Sequence, residues 1–412
     1  MAMTNKIPAS VEAPASFGGL QLRVAVLCGL IQTLDGYDLA AIGLAVPSLS
    51  KAWSLPPSAF TQAFALSSVG IMVGAMLAGP VADRFGRKPT LLVSVALFGL
   101  FSLFSAWAES LTTLVLLRFV TGIGIGGAMP TTVALTSDYT PDRWRTSVVM
   151  FMFTGNTIGG FFAGQIAAQV LPSWGWQGIF YVGGVVPLAL LLVLLFTLPE
   201  SPQFQGGARP AAARSNPVSG LFEGGLAVST VVIWAIFLIN LLNMYLIGYW
   251  LPTVLNLGGF TPADAAFATS IYSAGAILST LLLGPVIARF GPERVLATSL
   301  VIGAISIAVV AKGNLSPVAT MAVLAVAGGG FIGSQLGLNG FCASIYPTET
   351  RSTGIGWALG VGRLGGIAGP IVGGALLSLG RPATEVLLYA AGPGVVTAAL
   401  VLFLGHHRRT LR

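Results

Sequence analysis

Twelve long apolar segments follow one another along this chain, and that repetition leaves few folds open. They lie near residues 22–47, 60–82, 89–108, 112–135, 146–170, 176–198, 228–252, 264–289, 293–311, 317–341, 352–379 and 384–405. About 20 apolar residues are what one helical crossing of a bilayer needs. Only 8% of the 412 residues are charged, against about 25% in soluble domains, so most of the surface cannot face water. The sequence predicts an all-α membrane protein of twelve transmembrane helices. Its 54 glycines suit helices that approach closely in lipid.

Basic residues set the expected orientation, because cytoplasmic loops retain Lys and Arg. With both termini inside, the joints hold fifteen of the 20 basic residues on that side, while only Lys51, Lys312 and Arg381 fall outside. The remaining two, Arg118 and Arg363, lie within spans. The expected division is a tail (1–20), a six-helix bundle (21–198), a linker rich in Pro, Gly and Ala (199–227), a second bundle (228–405) and a short tail (406–412). Residues 1–19 lack the apolar core of a cleavable signal peptide. The net charge of +7 follows topology and does not form a nucleic-acid patch. Cys28 and Cys342 lack metal-ligand spacing, and His406 and His407 sit at the tail. No buried nucleophile stands beside a base, so neither an enzyme nor a metal or cofactor is expected.

The two halves repeat. Gly79-Pro80-Val81-Ala82-Asp83-Arg84-Phe85-Gly86 returns as Gly284-Pro285-Val286-Ile287-Ala288-Arg289-Phe290-Gly291, and Gly159-Gly160 returns as Gly365-Gly366. Asp35 and Asp38 return as Asn240 and Asn243. Parallel repeats of six helices mark a transporter whose substrate site lies near the midplane between the halves. Asparagine keeps polarity but does not titrate, so proton handling is expected in the first half.

Charges inside the spans name the candidate site. Asp35 and Asp38 share a helical face at i and i+3, and each costs about 2.5–3.5 kcal/mol to insert. Arg118 lies seven residues into the fourth span, at roughly the depth of Asp38, and the two are expected to pair. Protonation of Asp35 or Asp38 would weaken that pairing; a static salt bridge is the alternative. Arg363 stands near the middle of the eleventh span without an acid at its depth in the second half. Its partner is either a substrate carboxylate, gripped by two hydrogen bonds, or Asp35 across the interface. Tyr37, Phe153, Tyr245, Tyr249 and Trp357 are candidate walls for an aromatic ring. Asn240 and Asn243 are preferred over the other polar span residues, Asn156, Gln165, Gln335 and Asn339, as substrate ligands.

The loop after the second span, Gly79-x3-Asp83-Arg84-x-Gly86-Arg87-Lys88, resembles the loop motif of the major facilitator superfamily, and its charges are carried over as a gating latch. Asp83 is expected to meet a helix start or an arginine. Asp138, Asp142, Arg143 and Arg145 in one inner loop, with Glu349 and Arg351 in its repeat mate, are expected to add gate ion pairs. The whole chain resembles the aromatic acid:proton symporters, a branch of that superfamily. The resemblance rests on Asp35-Gly36-Tyr37-Asp38, Arg118-Phe119-x2-Gly122-x-Gly124-x-Gly126-Gly127, Pro199-Glu200-Ser201-Pro202, Tyr346-Pro347-Thr348-Glu349-x-Arg351 and Gly360-x-Gly362-Arg363-x-Gly365.

The resemblance implies a monomer in a bacterial inner membrane that imports a benzoate-, hydroxybenzoate-, gentisate- or phenylpropionate-type acid with a proton. A symporter of non-aromatic organic acids would share the same charges. A sensor or an exporter of the same fold is a more distant alternative.

Overall fold

The computed structural model describes residues 18–205, 219–223, 225–312, 315–347 and 350–410. Glu349, singled out above as a gate residue, lies outside them. The long helices are α1 (Gly19–Trp53), α2 (Thr61–Phe85), α3 (Arg87–Ser105), α4 (Leu111–Tyr139) and α5 (Asp142–Thr197), followed by a one-turn α6 (Pro202–Gln205). The second half comprises α7 (Ala227–Leu257), α8 (Pro262–Phe290), α9 (Pro292–Ala311), α10 (Pro317–Gly328), α11 (Ser334–Ala343), α12 (Arg351–Ser378) and α13 (Ala383–Thr410).

Eleven segments among the described residues are long and apolar enough to cross a membrane, and one of them crosses twice. As a straight rod, the 56 residues of α5 would span about 84 Å, far more than the roughly 30 Å hydrocarbon core. Gly175 breaks α5 with φ 63°, a left-handed conformation that a residue without Cβ adopts at no steric cost. The tenth crossing is built from α10 and α11 joined by a π-helical turn, Gly329–Gly333.

The repeat in the sequence is a repeat in space. Gly86 and Gly291 end α2 and α8 with φ 101° and 86°, and Arg84 and Arg289 lie 5.3 Å and 5.4 Å from the rings of Phe85 and Phe290. Within the first half α1 packs on α5, and α4 packs on α2 and α3; within the second α12 packs on α7, and α13 on α9. Glycines make the tightest of these approaches. A Cβ on Gly159 would fall on the Thr33 backbone carbonyl, and one on Gly365 would fall on that of Leu238. Thr33 and Leu238 are themselves repeat mates, 205 positions apart.

Between the halves, α2 meets α12 and α5 meets α8, with α1 against α7. Those joints are packed at the end of the bundle opposite the termini. There Phe64 stacks on Tyr249 at 4.6 Å, Gln165 Nε2 donates to Ser270 Oγ at 2.8 Å, and Gly374 leaves room only for Thr61. The bundle is closed on that side.

Close approach at Gly159 and Gly365 has a direct test. Gly159→Ala and Gly365→Ala each place a methyl on a backbone carbonyl, so loss of monodisperse protein in detergent is expected. Gly360→Ala, where nothing lies within 4 Å, serves as the control and should behave as the parent does.

Candidate functional site

Arg118 is fixed by the helix that carries it. Ser110 caps α4 by accepting from the Thr113 amide at 3.2 Å, and Arg118 follows two turns into the bundle. It is fully buried, as is Asp38 on α1. The guanidinium forks onto the carboxylate: Nη1 donates to Oδ1 at 3.2 Å, while Nη2 donates to Oδ2 and also to the Asp38 backbone carbonyl. Ser102 Oγ donates to Asp38 Oδ1 at 2.5 Å, and the Phe180 ring lies 5.7 Å from the guanidinium carbon. α1, α3, α4 and the second pass of α5 thus meet at one ion pair. Removing one member of such a buried pair costs about 3–5 kcal/mol.

Asp35, one turn earlier on α1, has a different setting. It faces a central cavity of about 230 Å³ between the halves, together with Phe153, Asn156, Tyr245, Gln335, Asn339 and Arg363. Its Oδ1 is buried without a hydrogen-bond partner among the described residues. Arg363 faces the same cavity from α12, yet the two form no ion pair. Arg363 Nη2 instead donates to the Met129 thioether at 2.8 Å, a weak acceptor. The cavity therefore holds a carboxylate and a permanent cation, neither of them fully satisfied by protein.

The π turn supplies the third wall. It advances the helix by one extra residue per turn; Ile332 within it, and Gln335, Leu336 and Asn339 after it, line the cavity. Asn240 Nδ2 donates to Gln335 Oε1 at 2.7 Å, and Gln335 Nε2 donates to Asn339 Oδ1 at 3.1 Å. The relay ends with the amide protons of Asn339.

Several expected substrate ligands lie elsewhere. Tyr37 points into the first half, where its hydroxyl donates to the Ile179 carbonyl at 2.9 Å. The reason is helical phase: it sits two residues from Asp35, on another face of α1. Asn243 is fully buried off the cavity, with neither amide atom partnered among the described residues. Asn240 stands behind Gln335 and orients it. Trp357 is exposed near the linker and stacks on Trp234 at 5.6 Å, because it lies almost two turns below Arg363 on α12. Phe153, Tyr245 and Arg363 do line the cavity.

The loop charges gather around a residue that motif reasoning left unassigned. Glu200 caps the start of α3, accepting from the amides of Arg87 at 2.9 Å and Lys88 at 3.2 Å, and from the Ser201 amide at 2.8 Å. Of the two contacts expected of Asp83, a helix start or an arginine, it makes the second, pairing with Arg87 at 3.4 Å, while Glu200 takes the helix start. Arg87 also reaches Asp138 at 3.8 Å, and Ser201 Oγ donates to the same carboxylate at 2.5 Å. Tyr139 closes the cluster by donating to the Glu200 carbonyl at 2.7 Å.

Lys88 Nζ donates to the Leu195 carbonyl at 2.9 Å. Arg145 donates to the carbonyl of Ser137 at 3.2 Å, and Arg351 to that of Tyr346 at 3.4 Å. Arg84 covers Phe85. A carboxylate bracketed by prolines, facing a helix that starts at a glycine, was the available signal for Glu200. Glu200→Ala should cost about 0.5–2 kcal/mol, as for lost N-caps, read as a lower melting midpoint, with Glu200→Gln losing less.

Residues 28–261 and 233–411 each match the family described as the Major Facilitator Superfamily. The chain is 36% identical to the gallate transporter of Pseudomonas putida, over 94% of this chain and 92% of that one. It is 35% identical to the 4-hydroxybenzoate transporter PcaK of Pseudomonas aeruginosa, over 93% and 92%. It is also 35% identical to the 3-(3-hydroxy-phenyl)propionate transporter of Escherichia coli, over 97% and 98%. Among solved structures, the nucleoside transporter NupG superposes with a TM-score of 0.75 at 18% identity, over 94% of this chain and 100% of that one. The D-xylose-proton symporter does so with 0.73 at 19%, over 92% and 97%. The chain belongs to the Major Facilitator Superfamily, within its branch of aromatic-acid transporters.

Proposed function

We propose that this protein imports an aromatic carboxylic acid together with a proton, by alternating access across a bacterial inner membrane. The observation that carries the reading is Arg363, a permanent cation on a central cavity that no carboxylate of the described chain pairs with. A guanidinium fork matches a carboxylate with two parallel hydrogen bonds, and the Met129 thioether is readily displaced by so much stronger an acceptor. The Asn339 amide, aligned through Gln335 and Asn240, donates beside it. Phe153 and Tyr245 offer ring faces for offset stacking. Relatives named for gallate, 4-hydroxybenzoate and 3-(3-hydroxy-phenyl)propionate transport share the one chemistry this cavity suits, a carboxylate on an aromatic body.

The proton side rests on the contrast between the two aspartates. Asp35 lines the cavity without an ion-pair partner among the described residues, so it is the carboxylate placed to take up a proton there and to sense the charge at Arg363. Asp38 is locked to Arg118 and Ser102 and passes a change on α1 to α3 and α4. A substrate carboxylate at Arg363 withdraws the cation from Asp35 and favours its protonation; the two ligands thereby load together. With the termini and the Glu200 cluster in the cytoplasm, the closed end is the periplasmic one.

The test is uptake of labelled 4-hydroxybenzoate into proteoliposomes driven by a pH gradient, acid outside. Accumulation that collapses with a protonophore and yields to aromatic competitors, but not to 2-oxoglutarate, is expected; competition mainly by 2-oxoglutarate would favour a carrier of non-aromatic acids. Arg363→Lys should weaken apparent affinity by about ten- to a hundredfold, the equivalent of about 1.5–3 kcal/mol for a hydrogen bond to a charged group. Asp35→Asn should abolish uphill accumulation while keeping substrate counterflow, and full accumulation in that variant would remove the proton role.

A further inference from the structure

The turn of α1 that precedes Asp35 carries a second buried polar group, Gln32, which is fully enclosed. Its Nε2 donates to Thr132 Oγ1 on α4 at 2.8 Å, and Thr132 Oγ1 donates in turn to the Met129 carbonyl at 2.8 Å. A hydroxyl has one proton to give. Because Thr132 gives its own to Met129, it can only accept from Gln32, and the amide is held with its nitrogen toward α4. The other end of the amide, Oε1, is buried with no hydrogen-bond partner among the described residues.

Asp35 has the same unmet need. It lines the cavity, yet its Oδ1 is enclosed by protein and also lacks a partner among the described residues. The two residues are three apart on one helix, a spacing that puts side chains on one face. Helical side chains lean toward the N-terminus, which carries the Asp35 carboxyl back over the turn of Gln32. While Asp35 is ionised both oxygens are acceptors, and neither can answer the other. One proton on Asp35 changes that: the carboxyl becomes a donor, and a single O–H···O bond satisfies two buried groups. The second half lacks this arrangement. The repeat mates are Asn240, which does not titrate, and Phe237, which has no acceptor.

We propose that Gln32 is the positioning residue for the proton on Asp35: its Oε1 accepts from the protonated carboxyl, and Thr132 holds the amide in that orientation. The inference rests on the reading of Asp35 as the proton carrier. Around the cavity, Arg363 from α12 and Tyr245 from α7 are the other wall residues that carry charge or titrate, while α2, α4 and α5 present Ser68, Met129 and Asn156. Tyr249 from α7 and Tyr272 from α8 line a separate space beside Gly36. On α1 itself, Cys28 lies two turns back, and Asp38 is paired with Arg118 of α4. Arginine stays charged, and tyrosine and cysteine ordinarily titrate near about 10 and 8.5, so a response between about pH 5 and 8 reports a carboxylate moved up from its usual range.

The experiment reads initial uptake of labelled 4-hydroxybenzoate into proteoliposomes against external pH, for the parent, Gln32→Leu, Thr132→Val and Thr132→Ser. Losing the acceptor disfavours the protonated carboxyl, so the half-maximal pH of Gln32→Leu should fall by about one unit, the tenfold that one hydrogen bond confers. Thr132→Val frees the amide to turn and should move the midpoint the same way by less. Thr132→Ser keeps the hydroxyl and should hold the parent's midpoint. Substrate counterflow with acid pH on both sides, where Asp35 is protonated in every variant, should keep the parent's apparent affinity. A role in packing alone would lower rates without moving the midpoint. Melting midpoints in detergent identify any variant that fails to fold, and the Thr132 pair carries the test if Gln32→Leu does.

An unchanged midpoint in folded Gln32→Leu, or Thr132→Val indistinguishable from Thr132→Ser, would overturn the proposal while leaving Asp35 as the proton carrier. Full uphill accumulation in Asp35→Asn would instead remove the proton reading, and the role of Gln32 with it.

Discussion

A charge placed where water cannot follow must be answered by another group, and the centre of this bundle is arranged around that requirement. Two arginines lie within its spans. One, Arg118, forks onto Asp38, with Ser102 and Phe180 beside the pair. The other, Arg363, donates to a thioether and forms no ion pair among the described residues. The matched pair ties four crossings of one half together. The unmatched cation sits on the opposing half, across the cavity, where an external anion can reach it.

Glycine makes this arrangement possible. α1 lies on α5 through Gly36 and Gly159, and α7 lies on α12 through Gly365 and Gly369, each at distances that exclude a Cβ. Asp35 is adjacent to Gly36, and Arg363 is two positions from Gly365. The residues that bring the backbones together are therefore next to the residues that carry charge into the cavity. The two halves use the same joint, but only the first carries acids on it. The asparagines of the second half became a relay to Gln335 and an unpartnered buried amide, neither of which titrates.

The loop side shows the same economy. Glu200 engages the amides that open α3, and Ser201 engages Asp138 at the end of α4. Together with Arg87 they bind α2, α3, α4 and the end of α5 into one cluster. In the second copy Glu293, in the first turn of α9, reaches Arg409 at 3.9 Å. The two loops are not equivalent in sequence, since Ala288 stands in place of Asp83.

Hydropathy and the 205-residue repeat determined the twelve crossings, the two halves and the depth of each buried charge, because span length and insertion cost depend on local sequence alone. The pairing of Asp38 with Arg118 was legible for the same reason: two opposite charges at one depth in lipid have little choice. Helical phase and packing decided the rest. Tyr37 and Asn243 looked like ligands by neighbourhood and by repeat, yet rotation about their helix axes turns them into protein. Gln335 and Asn339 reach the cavity only because a π turn shifts their helix by one residue, a change in hydrogen bonding that apolar periodicity does not record.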